Sequence, residues 1–81
     1  MTRSFSAPRP IQVRVDDAGQ PHEVVWRGRR ERVRVCNLWL SEVGWWNDHP
    51  PRAYYKLLTR SKTVLVVYQE ETRWYVERIL D

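Results

Sequence analysis

Five arginines fall within eight residues, at positions 27, 29, 30, 32 and 34 of the 81-residue chain. A second basic group follows at Arg52, Lys56, Arg60 and Lys62, with Tyr54 interleaved. A guanidinium pairs a phosphate with two parallel hydrogen bonds and also stacks on rings. Basic groups that track a backbone, beside rings that stack on bases, are what single-strand binding by a small β-barrel requires. Two other readings fit the same residues. Alternating arginine is also the solvated face of a strand. Arg, Tyr and Trp are also enriched at the centres of protein interfaces.

Other chemistry finds little to work with. His22 and His49 are far apart and neither has a spaced partner for a metal. His22 reads as a surface strand residue and His49, before Pro50, as a loop residue. Cys36 is the one cysteine, so no intramolecular disulfide forms, and no base is implied that would make it a nucleophile. Asp16 and Asp17 precede Gly19 and read as turn residues. There is no Gly-rich phosphate loop and no zinc spacing. The expectation is a protein that is not an enzyme, with no cofactor and no metal.

The basic groups need elements to hold them. "IQVRV" (11–15) alternates apolar and polar residues, as a half-buried strand does. "DDAGQP" is a loop and "HEVVW" a second strand. Arg27-Gly28 is a candidate two-residue hairpin turn, because Gly28 accepts positive φ. That turn sets Trp26 opposite Arg29, Val25 opposite Arg30 and Glu23 opposite Arg32, the last as a cross-strand charge pair. One face then carries Val24, Trp26, Val33 and Val35, and the other Arg30, Arg32 and Arg34. "CNLWLSEVGWW" fits a strand or a short helical turn equally well, and Pro50-Pro51 end any regular element after it.

Three strands follow: "RAYYKLL", "TVLVVYQ" and "RWYVERIL". A loop at 60–62 sets Leu57 opposite Leu65 and Tyr55 opposite Val67. A turn at Glu70-Glu71 sets Val67 opposite Trp74 and Leu65 opposite Val76. The inner face is then Ala53, Tyr55, Leu57, Leu65, Val67, Trp74 and Val76. The other face holds Tyr54, Lys56, Leu58, Val64, Val66, Tyr68, Tyr75 and Ile79, with Arg52, Arg73 and Glu77, too apolar for an ordinary solvated face. Successive strand residues point to opposite sides. If the doublets Trp45-Trp46 and Tyr54-Tyr55 lie in strands, each sends one ring inward and one outward.

Length and composition bound the rest. The chain makes one domain with a thin core, and five Trp and four Tyr offset that thinness by burying a large area each. Residues 1–9 read as a flexible arm and 10–81 as the β domain. No apolar leader or membrane-length run is seen, so the expected setting is cytoplasmic. The net charge is +4, and it is blocked: residues 1–34 and 52–62 are each +4, whereas 35–51 and 63–81 are each −2. Blocking favours one basic face over a uniform field.

"WRGRRERV", the Trp doublet, "RAYYKL" and the closing "RWYVERILD" together resemble a family of small Trp/Tyr/Arg-rich bacterial proteins of unknown function. The likeness covers about residues 10–81. A similar pattern looks like the tail of the inactive Y-family polymerase-like protein of the bacterial mutagenesis cassette, which implies a setting in DNA repair. At Ala53 the family tends to carry Asp, so no role of that acid is carried over.

The expectation is therefore a small all-β antiparallel curled sheet or barrel of five to six strands. Its predicted function is to bind nucleic acid, single strands above all, through Arg30, Arg32, Arg34, Trp45, Trp46, Arg52, Tyr54 and Lys56. The alternative is a protein partner or a homodimer that covers Tyr54, Val66, Tyr68 and Tyr75.

Overall fold

Turn chemistry sets the strand order. The structure, a computed structural model, describes residues 2–41 and 52–80, with side chains described for 9–40 and 52–80. Six antiparallel strands run β1 (Thr2–Val15), β2 (Pro21–Trp26), β3 (Arg29–Ser41), β4 (Arg52–Thr59), β5 (Val64–Glu70) and β6 (Arg73–Leu80). Each pairs with the next, and β1 pairs with β6 to close a barrel. Closure removes the free sheet edges that would otherwise invite pairing with another chain. Among the described residues no helix is long and apolar enough to cross a membrane.

The β1–β2 turn is knit by Asp16, whose Oδ1 accepts the backbone N–H of Ala18 and of Gln20, each at 2.9 Å. The β2–β3 hairpin turns at Arg27-Gly28, with φ of 53° and 76°. Two successive positive φ values make a type I′ turn, whose twist matches that of the flanking strands. Glycine takes the second position freely. Arginine at the first carries a left-handed backbone that Asn adopts more readily. Arg27→Asn should therefore stabilise the fold by up to about 1 kcal/mol, read as a raised urea midpoint at constant slope.

The hairpin register is the expected one, Trp26 to Arg29 through Glu23 to Arg32. Its charge pairing differs. Glu23 lies 3.6 Å from Arg30 and 4.0 Å from Arg14, and no ion pair joins it to Arg32. Strand twist brings diagonal neighbours within reach of a long side chain. The β4–β5 register is also as expected, with Leu57 opposite Leu65 and Tyr55 opposite Val67.

The β5–β6 turn sits one residue later than Glu70-Glu71. Glu70 pairs with Arg73, and Glu71, at φ 59°, takes the turn with Thr72. Val67 then faces Val76, and Gln69 faces Trp74. Both turns leave the same residues on each face, so the inner set survives. Ile79 is the exception. It was expected outside and is buried in the core at 1% exposure. The register slips between Val66 and Val67, leaving Glu77 as an extra residue on β6. Such a bulge exchanges the faces beyond it. Without it, Arg78 would point into the core and Ile79 into solvent.

Residues 2–9, expected as an arm, lie within β1 and pair along β6, with a register break between Ser4 and Arg9. Prolines 8 and 10 obscured this strand in the sequence; Pro8 falls within the break in the ladder, where proline is tolerated, and Pro10 pairs with Tyr75 just beyond it. The ambiguous stretch from Cys36 is strand as far as Ser41.

The barrel core comprises Ile11, Val24, Trp26, Leu57, Leu65, Val67, Trp74, Val76 and Ile79, with Val13, Val33, Val35 and Tyr55 packed against it. Tyr55 and Trp74 meet at 5.3 Å between ring centroids. A second, smaller cluster of Tyr54, Val66 and Tyr68 lies on the outer surface, with Tyr75 and Leu80 beside it.

Candidate nucleic-acid interface

The outer face of β3 to β6 is built in rows by the strand register. Trp39 pairs with Tyr54, Tyr54 with Tyr68, and Tyr68 with Tyr75. Four rings therefore line up across four strands. Their centroids are 5.6, 5.3 and 5.5 Å apart in that order, and Trp39 lies nearly parallel to Tyr54, at 8°. These separations suit offset and tilted aromatic pairs. The next row runs Asn37, Lys56, Val66, Arg78, and the third Arg34, Leu58, Val64, Leu80.

A bulge puts Trp39 in the ring row. The β3–β4 register slips between Val35 and Asn37, leaving Cys36 as the extra residue. Arg30, Arg32 and Arg34 share the outer face by alternation. By simple parity Trp39 would point the opposite way; the extra residue returns it to the arginine face. Trp39 remains 38% exposed.

The expected stacking ring, Tyr54, faces outward but is 7% exposed, and Tyr68 is 3% exposed. Tyr54 is occupied by Trp39 on β3 and Tyr68 on β5, so Trp39 takes its place as the accessible ring. Arg52 is also committed. Its Nη2 lies 3.2 Å from Glu70 Oε2, and its guanidinium carbon sits 4.4 Å over the Tyr68 ring. Burial opposes its charge, but Tyr54, Tyr68 and Glu70 outweigh this and hold its pKa above the ordinary value. Burial likewise pushes the Tyr68 hydroxyl up, against the pull of Arg52. Arg52 thus works as a structural cation within the ring row. Trp45 and Trp46 lie outside the described residues.

The interface set, Tyr54, Val66, Tyr68 and Tyr75, is on one outer face as expected. Tyr54, Val66 and Tyr68 are all buried within the single chain. The apolar character of this face therefore does not by itself require a partner.

Four of the cations without an ion pair among the described residues gather along β3 and the β4–β5 loop. Arg32, Arg34, Arg60 and Lys62 line a groove of about 350 Å³ whose floor is Val33, Leu58 and Thr59. No carboxylate lines it, and among the described residues none of the four side chains has an ion-pair partner. Four like charges in one groove are held there by the loop. The Arg60 amide donates to the Arg32 carbonyl at 3.1 Å, and the Lys62 amide to the Thr59 carbonyl at 3.0 Å. Thr59, 2% exposed, accepts the Thr63 amide on its hydroxyl at 3.0 Å. The Glu31 carboxylate accepts the Ser61 amide at 3.2 Å. Lys62 holds a left-handed backbone, at φ 74°, to fit this loop. Such strain persists where the surroundings over-determine it.

A second hollow adjoins the groove. Its volume is about 490 Å³, with Trp39, Tyr54, Val66 and Leu80 as apolar lining and Asn37, Lys56, Glu77 and Arg78 as polar lining. Lys56, half-buried, stands two residues along β4 from Leu58 of the groove. The two concavities therefore follow one another along the outer face of β3 and β4, from the Arg32 end to Trp39. That is a track of roughly 20 Å at strand rise.

Comparison with known proteins adds no relative: no family model matches the chain, and neither curated proteins nor solved structures give a match. The functional reading therefore rests on the geometry of this face.

Arg60 and Lys62 belong to the second basic group of the sequence, and the hydrogen-bonded loop brings them beside Arg32 and Arg34. Alternation put Glu77 on the outer face, but Trp39, Asn37 and Arg78 carried no signal, because their facing depends on the two bulges.

Proposed function

We propose that this protein is a non-enzymatic nucleic-acid-binding module that holds a single strand along the outer face of β3 and β4. One observation carries the reading: four cations that have no ion-pair partner among the described residues line a single groove in which, among the described residues, there is no carboxylate. Arg32 and Arg60 also border a neighbouring hollow that holds Glu23 and Glu31, but like charge dominates the groove itself, and a polyanion there relieves the mutual repulsion. Arg32 and Arg34 lie about 6.6 Å apart along one strand face, comparable with the phosphate spacing of an extended single strand. Trp39 at the far end offers a ring to an unstacked base. A duplex would offer its phosphates to the groove but no base face to Trp39. The resemblance to mutagenesis-cassette proteins gives DNA repair as the setting.

The test is fluorescence anisotropy of a labelled oligothymidine at rising salt. Four neutralised phosphates on a single strand give a log–log slope of about −2.8, or roughly 50-fold weaker binding between 50 and 200 mM salt. Undetectable binding of DNA and RNA at low salt and tens of micromolar protein would overturn the reading.

A further inference from the structure

We infer that the hollow beside Trp39 reads one base of the bound strand, and that the base it takes is guanine; this rests on the single-strand reading above. The groove explains attraction to phosphates but uses neither Asn37 nor Glu77. The hollow has a different chemistry. Its apolar floor is Val66, 4% exposed, and Tyr54, and its wall is Trp39. Its volume lies in the range of small-molecule sites, which combine an apolar lining with a few placed polar groups.

Those polar groups are of two kinds: donors on Asn37, Lys56 and Arg78 of one register row, and an acceptor on Glu77, the bulged residue beside that row. Asn37 and Lys56 sit on β3 and β4. The Asn37 Oδ1 accepts the Leu38 amide at 2.9 Å, which orients the side chain and leaves its NH₂ as a donor. Lys56 offers only donors. At the other end, on β6, is the Glu77 carboxylate. Its Oε1 accepts from Arg78 Nε at 3.2 Å and Nη2 at 3.0 Å, so the carboxylate is anchored while Oε2 has no partner among the described residues. Lys56 and Arg78 flank Val66 in the pairing, so their backbones stand about 10 Å apart across two strand spacings, and the Glu77 carboxylate, gripped by Arg78, lies on the β6 side. Long side chains leaning inward from that separation can bracket a flat ring.

Guanine matches this order of groups. Its O6 accepts from a donor, while its N1–H and N2–H₂ donate toward an acceptor on the same edge. Single-stranded bases are commonly read on that edge while one face rests on an aromatic side chain. Adenine presents the reverse along the edge, a donor at N6 and an acceptor at N1, so a carboxylate beside N1 meets a lone pair. Cytosine presents the reverse order, as adenine does, and thymine shares guanine's order at O4 and N3–H but lacks the second donor of the N2 amine and offers Trp39 a smaller ring. Because adenine and guanine stack comparably, the choice between them isolates the hydrogen bonds.

The experiment uses the full chain and an oligothymidine carrying one central guanine, hypoxanthine or adenine, titrated by anisotropy. Guanine should bind roughly tenfold tighter than adenine, with hypoxanthine, which lacks the N2 amine, between them. Glu77→Gln keeps the side chain's shape, and Glu77 is partly exposed, so the fold should tolerate it. In that variant the guanine oligomer should fall to the adenine level. Equal affinity for guanine and adenine, with steep salt dependence retained, would overturn the base assignment and leave the single-strand reading in place. A guanine preference that survives Glu77→Gln would overturn it too. Failure of every oligomer to bind would remove both readings at once.

Discussion

Trp74→Ala should remove a large share of the protein's stability and lower its melting midpoint by tens of degrees. Trp74 is 7% exposed and lies in the barrel core beside Leu65, Val67 and Val76, with Tyr55 at 5.3 Å. It pairs across to Ile11 of β1 and to Gln69 of β5. It thus packs where the first and last strands close the barrel. Truncating a buried Trp removes its transfer energy and leaves a cavity that neighbours fill only in part, at about 3–5 kcal/mol. A domain of this length has roughly 4–12 kcal/mol in total. The measurement is a thermal melt by circular dichroism, where the midpoint should fall by tens of degrees. Trp39→Ala is the control. Its ring is 38% exposed and rests on Tyr54 from one side, so its loss should cost far less. Equal melting shifts for the two variants would contradict the division into a barrel core and an outer ring row.

The contrast between these two tryptophans also shows what the sequence could convey. Trp74 stands in an unbroken alternation with Val76, across a tight turn from Val67. A turn misplaced by one residue left its face unchanged, because both strands shift together. Leu57, Leu65 and Tyr55 were legible for the same reason, fixed by the three-residue loop at 60–62. Trp39 was not legible. Its facing depends on the extra residue Cys36 in β3, and nothing in "RVCNLW" marks a bulge there. Ile79 and Arg78 exchange faces through the same device at Glu77. Alternation alone gathers Tyr54, Lys56, Val66 and Glu77 of the hollow on one face, but Trp39, Asn37 and Arg78 join them only through two bulges on strands three positions apart. The arginine row was visible, but its pairing was not. Whether Glu23 joins Arg30 or Arg32 depends on strand twist, and that choice decides which arginine is left for a ligand.

That choice leads to the largest functional effect. Neutralising Arg32, Arg34, Arg60 and Lys62 together, each to Gln, should abolish oligonucleotide binding at physiological salt and flatten the salt slope from about −2.8 toward zero. The four belong to one groove and have no carboxylate partner within it, so their loss breaks no internal ion pair. Relief of their mutual repulsion should leave the fold as stable as before, or slightly more so. The same number of changes at Arg14, Arg30, Arg52 and Arg78 removes equal charge from residues already paired with Glu23, Glu70 and Glu77. That second variant should lose stability, above all through Arg52 under the ring row, yet retain most of the salt slope wherever it stays folded. A protein bound only through its net charge would respond alike to both sets. A protein bound through the groove responds to the first in affinity and to the second in stability. Each variant therefore needs both a melting curve and a salt titration. Binding that survives the groove variant with its slope intact would show that these four cations are only a solvated strand face.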